Sequence, residues 1–229
     1  MFNQNKVLAI IPARGGSKRL PNKNLMMLVD KPLISWTIEA ALLSQYIDRV
    51  IVSTDSYDIK QISESYGADV PFIRPPELAA DDSSSSEVIL HVLQKLDVQY
   101  DVVVMLQPTS PMRSFMHIDE SLETMLNNQA DGIVSVTPCE HSPLWAGTLS
   151  SDGSLTDFLD VNANRRSQEL PNFYRLNGAI FCYKVENLIL NNGINYKNNI
   201  FPYFMDRYSS VDIDTKDDFD YAEYLLLKG

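Results

Sequence analysis

A short loop near the start of the chain gathers the residue types that bind phosphate. The stretch IIPARGGSKRLPNKN begins as an apolar strand and continues into two glycines and four cations, Arg14, Lys18, Arg19 and Lys23. Glycines let backbone N–H groups approach oxygen atoms, and lysine or arginine neutralises the charge. The spacing matches neither a Walker A loop nor a G-x-G-x-x-G loop. The loop therefore predicts an anion site, with an ordinary solvated loop as the alternative.

Two aspartates near the end of the chain have the spacing of a cation site. Asp212 and Asp214 are separated by one apolar residue in the stretch SVDIDTKDD. If this stretch is an extended strand, both carboxylates lie on the same side, where they suit a hard cation such as Mg²⁺. The alternative is a helix start in which Asp214 or Thr215 caps the last helix. That alternative gives no role to Asp212.

Three further segments offer side chains to a ligand. Gln107 follows the apolar run VVVML, and its amide suits a nucleobase edge because it both donates and accepts hydrogen bonds. A proline-bounded turn is the alternative there. Arg74 follows a predicted strand, in a segment that also fits a plain connector with a helix cap among its serines. Asn177-Gly178 leads into a predicted strand and also fits a hairpin turn.

The sequence shows no arrangement for covalent catalysis. It contains neither C-x-x-C nor G-x-S-x-G, and its three histidines lack zinc spacing. Cys139 and Cys182 fit buried or half-buried free thiols. An anion loop combined with a carboxylate pair is instead the equipment of phosphoryl or nucleotidyl transfer by positioning and charge neutralisation.

Composition limits the partners. The 229 residues include 19 Lys+Arg against 30 Asp+Glu, a formal net charge of -11. Nucleic acids and anionic membranes require an extended basic face, so we expect neither as a partner. No apolar stretch approaches the roughly 18 residues of a membrane span, and the first residues lack a secretory pattern. We therefore expect a cytoplasmic protein.

Alternating apolar runs and amphipathic segments predict the elements that position these residues. The predicted strands are 7–11, 50–53, 70–73, 102–106, 133–136, 179–183 and 200–205, and the predicted helices are 33–43, 59–66, 86–96, 118–126, 185–190 and 216–227. This alternation is typical of an α/β protein whose mostly parallel sheet carries helices on both faces. Ligands bind such sheets beyond the carboxyl ends of the strands. An irregular excursion, 140–174, separates core segments 1–139 and 175–229 and is too short to fold independently.

Seven segments, in order along essentially the whole chain, resemble the acylneuraminate cytidylyltransferase family, which makes CMP-sialic acid and related CMP-nonulosonates. They are IPARGGSKRLPNKN, VSTDS, RPPELAADDSSS, LQPTSPMR, the EHSPLW excursion, YRLNGAIF and DIDT. The resemblance implies a three-layer, Rossmann-like nucleotidyltransferase fold. It also implies a reaction in which the C2 hydroxyl of a nine-carbon 2-keto acid sugar, N-acetylneuraminic acid first, attacks the α-phosphate of CTP and pyrophosphate leaves.

The resemblance further implies a role for individual residues. The implied catalytic residues are Lys23, Arg14 and Asp214, with Lys23 near the α-phosphate. The implied nucleotide-binding residues are Arg14, Gly16, Ser17, Lys23, Asn24, Arg74, Ser85 and Gln107, of which the last three contact cytosine and ribose. The implied sugar-binding residues are Gln107, Arg166, Arg175 and Asn177. Asp212 and Asp214 are expected to hold Mg²⁺, with Mn²⁺ as a substitute.

The resemblance also bears on assembly and leaves alternatives open. The 140–174 excursion resembles the family's dimerisation arm, which lends a basic residue to the neighbouring subunit's site, so a homodimer is expected. Trp145 stands where one family member has a lysine, and Arg165 or, preferably, Arg166 would supply the cation. Legionaminic, pseudaminic or eight-carbon 3-deoxy-octulosonic acid are alternative sugars. A non-catalytic nucleotide-binding regulator is the alternative from another class.

Overall fold

A central sheet organises the protein. The structure, a computed structural model, describes residues 2–159, 166 and 169–228. Within these residues the sheet contains β1 Val7–Pro12, β4 Arg49–Ser53, β5 Val102–Leu106, β6 Gly132–Pro138, β7 Tyr174–Lys184 and β8 Ile200–Phe204, while β2 Met27–Leu28 and β3 Lys31–Pro32 form a separate small hairpin. The strand order is β4-β1-β5-β7-β6-β8, and only β7 pairs antiparallel to its neighbours. The predicted mostly parallel sheet is confirmed.

Helices cover both faces of this sheet. They are α1 Leu33–Leu43, α2 Tyr57–Ser65, α3 Ser85–Lys95, α4 Phe115–Asn127, α5 Val185–Leu190 and α6 Lys216–Lys228. Local sequence explains where two of them begin. Ser56 caps α2 by accepting a hydrogen bond from the Ile59 N–H at 3.3 Å. Ser84 and Glu87 form a reciprocal capping box at the start of α3.

Strand β1 shows why the central strands lack polar alternation. Its residues Val7, Ala9 and Ile11 belong to the core on the α1 and α4 side, together with Ile38 and Leu122 of those helices. The intervening Leu8 and Ile10 belong to a second core on the α3 side. These five residues of β1 are all 0% exposed. A strand buried on both faces must be apolar throughout, and this arrangement creates the three layers.

A third apolar cluster joins the two ends of the chain. It contains Leu20 of the cationic loop, Ile213 between the two aspartates and Phe219 of α6, together with Leu28, Leu33 and Ala222. The Ile213 N–H also donates to the Thr109 carbonyl at 2.9 Å, in the loop after β5. Apolar burial thus brings the loop after β1 and the segment before α6 to the same edge of the sheet.

The structure corrects the predicted strand at 70–73. Only Asp69 bridges to β4, through Ile51. Pro71 lacks an N–H donor and Pro75 and Pro76 follow closely, so the segment cannot continue the ladder. Arg74 still keeps one contact with the end of β4, because its N–H donates to the Thr54 carbonyl at 2.7 Å.

The strand predicted at 179–183 is also longer than expected. β7 begins at Tyr174, so Asn177 and Gly178 lie inside the strand rather than in a turn before it. Gly178 has φ +76°, a conformation that favours glycine, opposite a register shift between Val134 and Val136 of β6. The Asn-Gly signal therefore marks a strand irregularity instead of a hairpin.

Part of the excursion at 140–174 can be described. A short 3-10 turn, Pro143–Trp145, follows β6, and residues 160–165, 167 and 168 lie outside the described residues, so the expectation for Arg165 falls there. In the described part of the chain, no helix has the length and apolar character needed to cross a membrane.

Candidate active site

A cleft of about 570 Å³ opens at the carboxyl edge of the parallel strands. Its walls come from the loop after β1, the segment before α3, the loop after β5 and the segment before α6. The cleft brings together nine of the residues singled out from the sequence, namely Arg14, Ser17, Lys23, Asn24, Arg74, Ser85, Gln107, Asp212 and Asp214. Residues up to 200 positions apart therefore share one site, as expected for the switch region of an open α/β sheet.

The loop after β1 is held in shape from both ends. The Gly15 N–H donates to Asp55 Oδ1 at 2.8 Å, which ties the loop to the segment after β4. The Asn24 amide, itself 7% exposed, donates to the Arg14 carbonyl at 3.1 Å. Gly16 is exposed and does not line the cleft, so its predicted contact with the triphosphate stays a prediction.

Lys23 connects the cationic loop to the aspartate pair. Its side chain is only 11% exposed, and its amino group donates to the Ile213 carbonyl at 2.5 Å and to Asp214 Oδ1 at 3.1 Å. Arg19 donates to the other oxygen of Asp214, also at 3.1 Å. The two ends of the chain therefore meet here, and Asp214 bridges two cations of the loop.

The aspartate pair suits a hard cation. Residues 211–214 form no strand, but the alternation expected for one is kept, because Ile213 is fully buried while both carboxylates line the cleft. Part of Asp212 is exposed to solvent, but neighbouring atoms reduce the hydration of its carboxyl. This desolvation, together with the negative charge of Asp214, raises the pKa of the Asp212 carboxyl. No group of three or more His, Cys, Asp or Glu side chains in the described residues could hold a metal. A metal here would take its other ligands from phosphate and water, as Mg²⁺ commonly does.

Arg74 and Gln107 form another wall of the cleft. Arg74 is 4% exposed, and burial lowers the pKa of its guanidinium although Asp55 lies 3.9 Å away. Two of its nitrogens, Nε and Nη2, have no hydrogen-bond partner among the described residues. A Cβ on Gly178 would come within 2.7 Å of the Gln107 amide oxygen, so a larger residue there would displace the Gln107 side chain. Both side chains present polar groups to the cleft.

Of the four residues assigned to the sugar, Gln107 lines this cleft, whereas Arg166, Arg175 and Asn177 do not. Arg175 is exposed and pairs with Glu140 at 3.0 Å. Asn177 is 2% exposed; its oxygen accepts from Ser135 Oγ at 2.5 Å and its amide donates to Ser210 Oγ at 2.9 Å. Arg166 is exposed. Their assignment to the sugar stays a prediction, and the contacts of Asn177 indicate that it stabilises β7.

Three residues in or near the cleft were not predicted from the sequence. Asp55 anchors Gly15, and Asp81 pairs with Arg14 at 2.8 Å. Arg113 is 1% exposed; it donates to Thr37 Oγ1 at 2.6 Å, and burial lowers the pKa of its guanidinium to about 9. Each of these residues lies inside a segment that had been recognised, VSTDS, ELAADDSSS or LQPTSPMR, so position next to a candidate was the available signal.

Comparison with known proteins identifies the family. A family model described as cytidylyltransferase matches residues 8–228. An N-acylneuraminate cytidylyltransferase of Escherichia coli is 41% identical over 222 residues, which cover 96% of this chain and 52% of the relative. A CMP-N,N'-diacetyllegionaminic acid synthase of Legionella pneumophila is 37% identical over 228 residues, 96% of each chain. The chain thus spans about half the length of the first relative and nearly all of the second.

The fold is also similar to that of a solved cytidylyl-transferring enzyme. A solved structure of CMP:2-keto-3-deoxy-manno-octonic acid synthetase complexed with CTP superimposes with a TM-score of 0.75 over 97% of this chain and 99% of that one, at 19% identity. At that identity the likeness concerns the fold alone, and it confirms the predicted nucleotidyltransferase fold. Taken with the match over residues 8–228, these findings show that the chain belongs to the cytidylyltransferase family.

Proposed function

We propose that this protein transfers a cytidylyl group from CTP to a nine-carbon 2-keto acid sugar, N-acetylneuraminic acid first, releasing pyrophosphate. One observation carries the proposal: the cationic loop and the aspartate pair meet across a single cleft, with Lys23 Nζ 3.1 Å from Asp214 Oδ1. Family membership supports the cytidine nucleotide. The names of the relatives from Escherichia coli and Legionella pneumophila support an acidic nine-carbon sugar.

The loop after β1 would hold the triphosphate. Arg14 and Ser17 line the cleft beside Lys23, and the Asn24 amide holds the Arg14 backbone by donating to its carbonyl. The exposed backbone at Gly16 is free to approach phosphate oxygens. Lys23 is the most enclosed cation of the loop, so its charge acts in partly dehydrated surroundings. We assign Lys23 to the α-phosphate, where charge changes during the reaction.

The wall formed by Arg74, Ser85 and Gln107 would bind cytosine and ribose. Two guanidinium nitrogens of Arg74 lack hydrogen-bond partners among the described residues and suit the carbonyl oxygen of a base. The Gln107 amide can donate and accept hydrogen bonds. Leu78 and Val88 add apolar surface to this part of the cleft, which suits the face of a base.

Asp212 and Asp214 would hold a divalent metal, which we propose is Mg²⁺ with Mn²⁺ as a substitute. The two hard oxygen donors at the cleft wall fit such an ion. Bound there, the metal would neutralise charge on the α-phosphate and on the departing pyrophosphate. Lys23 and Arg19 hold the Asp214 carboxylate in place at the cleft wall.

Transfer would be direct, without a covalent enzyme intermediate. Among the described residues, no cysteine or histidine lines the cleft, so a nucleophile–base pair of the usual type is missing there. The residues of the cleft instead position two anionic substrates and neutralise their charge. The C2 hydroxyl oxygen of the sugar bonds to the α-phosphorus and releases its proton to water, while the bond from the α-phosphorus to the bridging oxygen breaks and that oxygen leaves with pyrophosphate.

The sugar contacts and the assembly complete the proposal. We assign the sugar carboxylate to Arg175 and to Arg166 of a neighbouring subunit, which requires a homodimer built through the 140–174 arm. Gln107 would contact the sugar as well as the nucleotide, and Asn177 would act near it by shaping β7. The cytoplasmic location expected from the sequence belongs to the proposal because the cytoplasm supplies CTP.

A substrate panel tests the reaction. The purified protein is mixed with CTP, Mg²⁺ and one sugar at a time: N-acetylneuraminic, legionaminic, pseudaminic or 3-deoxy-octulosonic acid. Pyrophosphate release gives the rate, and mass spectrometry identifies the CMP-sugar. We expect the highest kcat/KM with N-acetylneuraminic acid and complete loss of turnover on adding a chelator. A higher value with another sugar would keep cytidylyl transfer and change the acceptor.

Asp214→Asn separates the enzyme from a non-catalytic nucleotide binder. The substitution keeps the side-chain shape, so thermal unfolding should stay near that of the wild-type protein, while turnover should fall at least about 100-fold. Near-normal turnover would refute the metal role. CTP binding without pyrophosphate release for any sugar, even in the wild-type protein, would favour the regulator.

A further inference from the structure

Asp81 pairs with Arg14, which the proposed function assigns to the triphosphate, and with Lys18 of the same loop. Its Oδ1 accepts a hydrogen bond from Arg14 Nη1 at 2.8 Å, and its Oδ2 forms an ion pair with Lys18. All three residues line the cleft. Hydrogen bonds from Lys18 and Arg14 lower the pKa of the Asp81 carboxyl, so it is ionised at neutral pH. One carboxylate therefore bridges two cations at the cleft wall.

A carboxylate held in this way has the bonding pattern of a phosphate group. Both offer two anionic oxygens to an arginine and a lysine, and both form charge-assisted hydrogen bonds with them. If phosphate oxygens take the N–H donors that now bind Asp81, its carboxylate must leave them. Because the Asp81 side chain is 48% exposed and that of Lys18 is 80% exposed, the ion pairs are weak enough to exchange.

We propose that Asp81 is an internal competitor of the triphosphate, which holds Arg14 and Lys18 in the ligand-free protein and is displaced when phosphate oxygens bind. The inference rests on the proposed function and identifies a residue that sets ligand selectivity. A ligand with several phosphate charges overcomes the competitor, whereas a singly charged anion does not. When pyrophosphate departs, Asp81 returns to the cations and so favours product release.

The position of Asp81 in the chain extends this inference to the nucleoside. Asp81 lies between the 3-10 turn Pro76–Leu78 and helix α3, and both Ser83 and Ser85 of the same segment line the cleft. Displacing Asp81 releases one of the contacts that hold this segment to the loop after β1. The exchange thereby couples phosphate binding to the wall assigned to cytosine and ribose.

Paired variants test the competitor role. Asp81→Asn removes the charge and keeps the shape. Asp82→Asn is the matched control, because Asp82 is the exposed neighbour and has no ion pair with any residue that the structure describes. Isothermal titration calorimetry measures the Kd of inorganic tripolyphosphate, pyrophosphate and CTP for both variants and the wild-type protein, at low and at high salt. Thermal unfolding checks that each variant is folded, and Asp81→Ser provides a second substitution without the carboxylate.

We expect Asp81→Asn and Asp81→Ser to bind tripolyphosphate about 3- to 10-fold more tightly than the wild-type protein, with the gain shrinking at high salt. Asp82→Asn should change the Kd by less than about twofold, because it alters only the general charge. Pyrophosphate should inhibit Asp81→Asn more strongly. Equal effects of the two asparagine variants, or weaker binding by Asp81→Asn, would overturn the inference.

The same titrations separate this inference from the proposed function. Tighter binding of tripolyphosphate by Asp81→Asn, in a protein that neither binds CTP nor releases pyrophosphate, would uphold the competitor and refute cytidylyl transfer. Turnover of CTP, with no tighter binding of tripolyphosphate by Asp81→Asn, would uphold cytidylyl transfer and refute the competitor. Failure of every variant and of the wild-type protein to bind tripolyphosphate would refute the competitor.

Discussion

Replacing Lys23 by methionine tests the centre of the proposed mechanism. The Lys23 side chain is 11% exposed, and its amino group lies 2.5 Å from the Ile213 carbonyl oxygen and 3.1 Å from Asp214 Oδ1. Methionine keeps the apolar stem and removes the charge. The substitution therefore deletes the cation proposed for the α-phosphate while leaving the volume of the loop nearly unchanged.

Lys23→Met should lower kcat far more than it raises the KM for CTP. A single preorganised donor that stabilises developing charge contributes about 100- to 1,000-fold to kcat, or roughly 2.7–4 kcal/mol. The KM for CTP should rise much less, because Arg14 and Arg74 still line the cleft. Loss of the donor to the Ile213 carbonyl should lower the free energy of unfolding by about 1 kcal/mol. For a chain of this size that lowers Tm by about 2–4 °C, so the variant stays folded.

Initial rates of pyrophosphate release at varied CTP give kcat and KM separately. Lys18→Met is the matched control, since Lys18 belongs to the same loop but its side chain is 80% exposed, and we expect its kcat to fall less than about fivefold. An unchanged kcat with a raised KM in Lys23→Met would refute the reasoning, because it would show that Lys23 binds ground state and transition state equally. Equal losses in both variants would assign the effect to the general charge of the loop.

Three further outcomes follow from the structure. Gly178→Ala should lower the free energy of unfolding by about 1–3 kcal/mol, because φ is +76°, and should raise the KM for CTP by displacing Gln107; chemical denaturation and steady-state kinetics check both. Asn177→Ala should lower the free energy of unfolding by about 2–4 kcal/mol, because it removes the buried hydrogen bonds of the Asn177 amide with Ser135, Ser210 and the Ala179 N–H, and an unchanged Tm would contradict this. Burial raises the pKa of the Cys182 thiol to about 12, so a thiol reagent should modify Cys139 first and reach Cys182 only after unfolding, as mass spectrometry of the labelled protein would show.

The local sequence pattern was sufficient to predict an element or a site wherever one physical effect dominates. β5 and α5 have the bounds that were predicted from the sequence, Val102–Leu106 and Val185–Leu190. A run of five apolar residues strongly favours a strand that is buried on both faces. The cationic loop was recognised for the same reason, since four cations and two glycines in one short segment of an acidic chain have no structural need.

The local sequence pattern was insufficient where contacts with distant residues determine the structure. Pro71 prevents the strand predicted at 70–73, which the apolar residues around it would otherwise favour. Asn177 and Gly178 look like a turn until Ser135 and Ser210, both distant in sequence, satisfy the amide inside the sheet. Asp81 lies 67 residues from Arg14, so the ion pair between them could not be inferred from spacing.

The carboxylates of the cleft explain how an acidic protein keeps four cations in one short loop before a ligand arrives. Asp81 bridges Arg14 and Lys18, and Asp214 bridges Arg19 and Lys23. Without these bridges the cations would repel one another, and the loop would spread apart. Each bridge leaves one positive charge in excess, so the cleft attracts anions although the chain has a formal net charge of -11. The cations are then already in position when the phosphates of a ligand arrive: Asp81 is displaced, Asp214 stays in place as the proposed metal ligand, and little reorganisation is required.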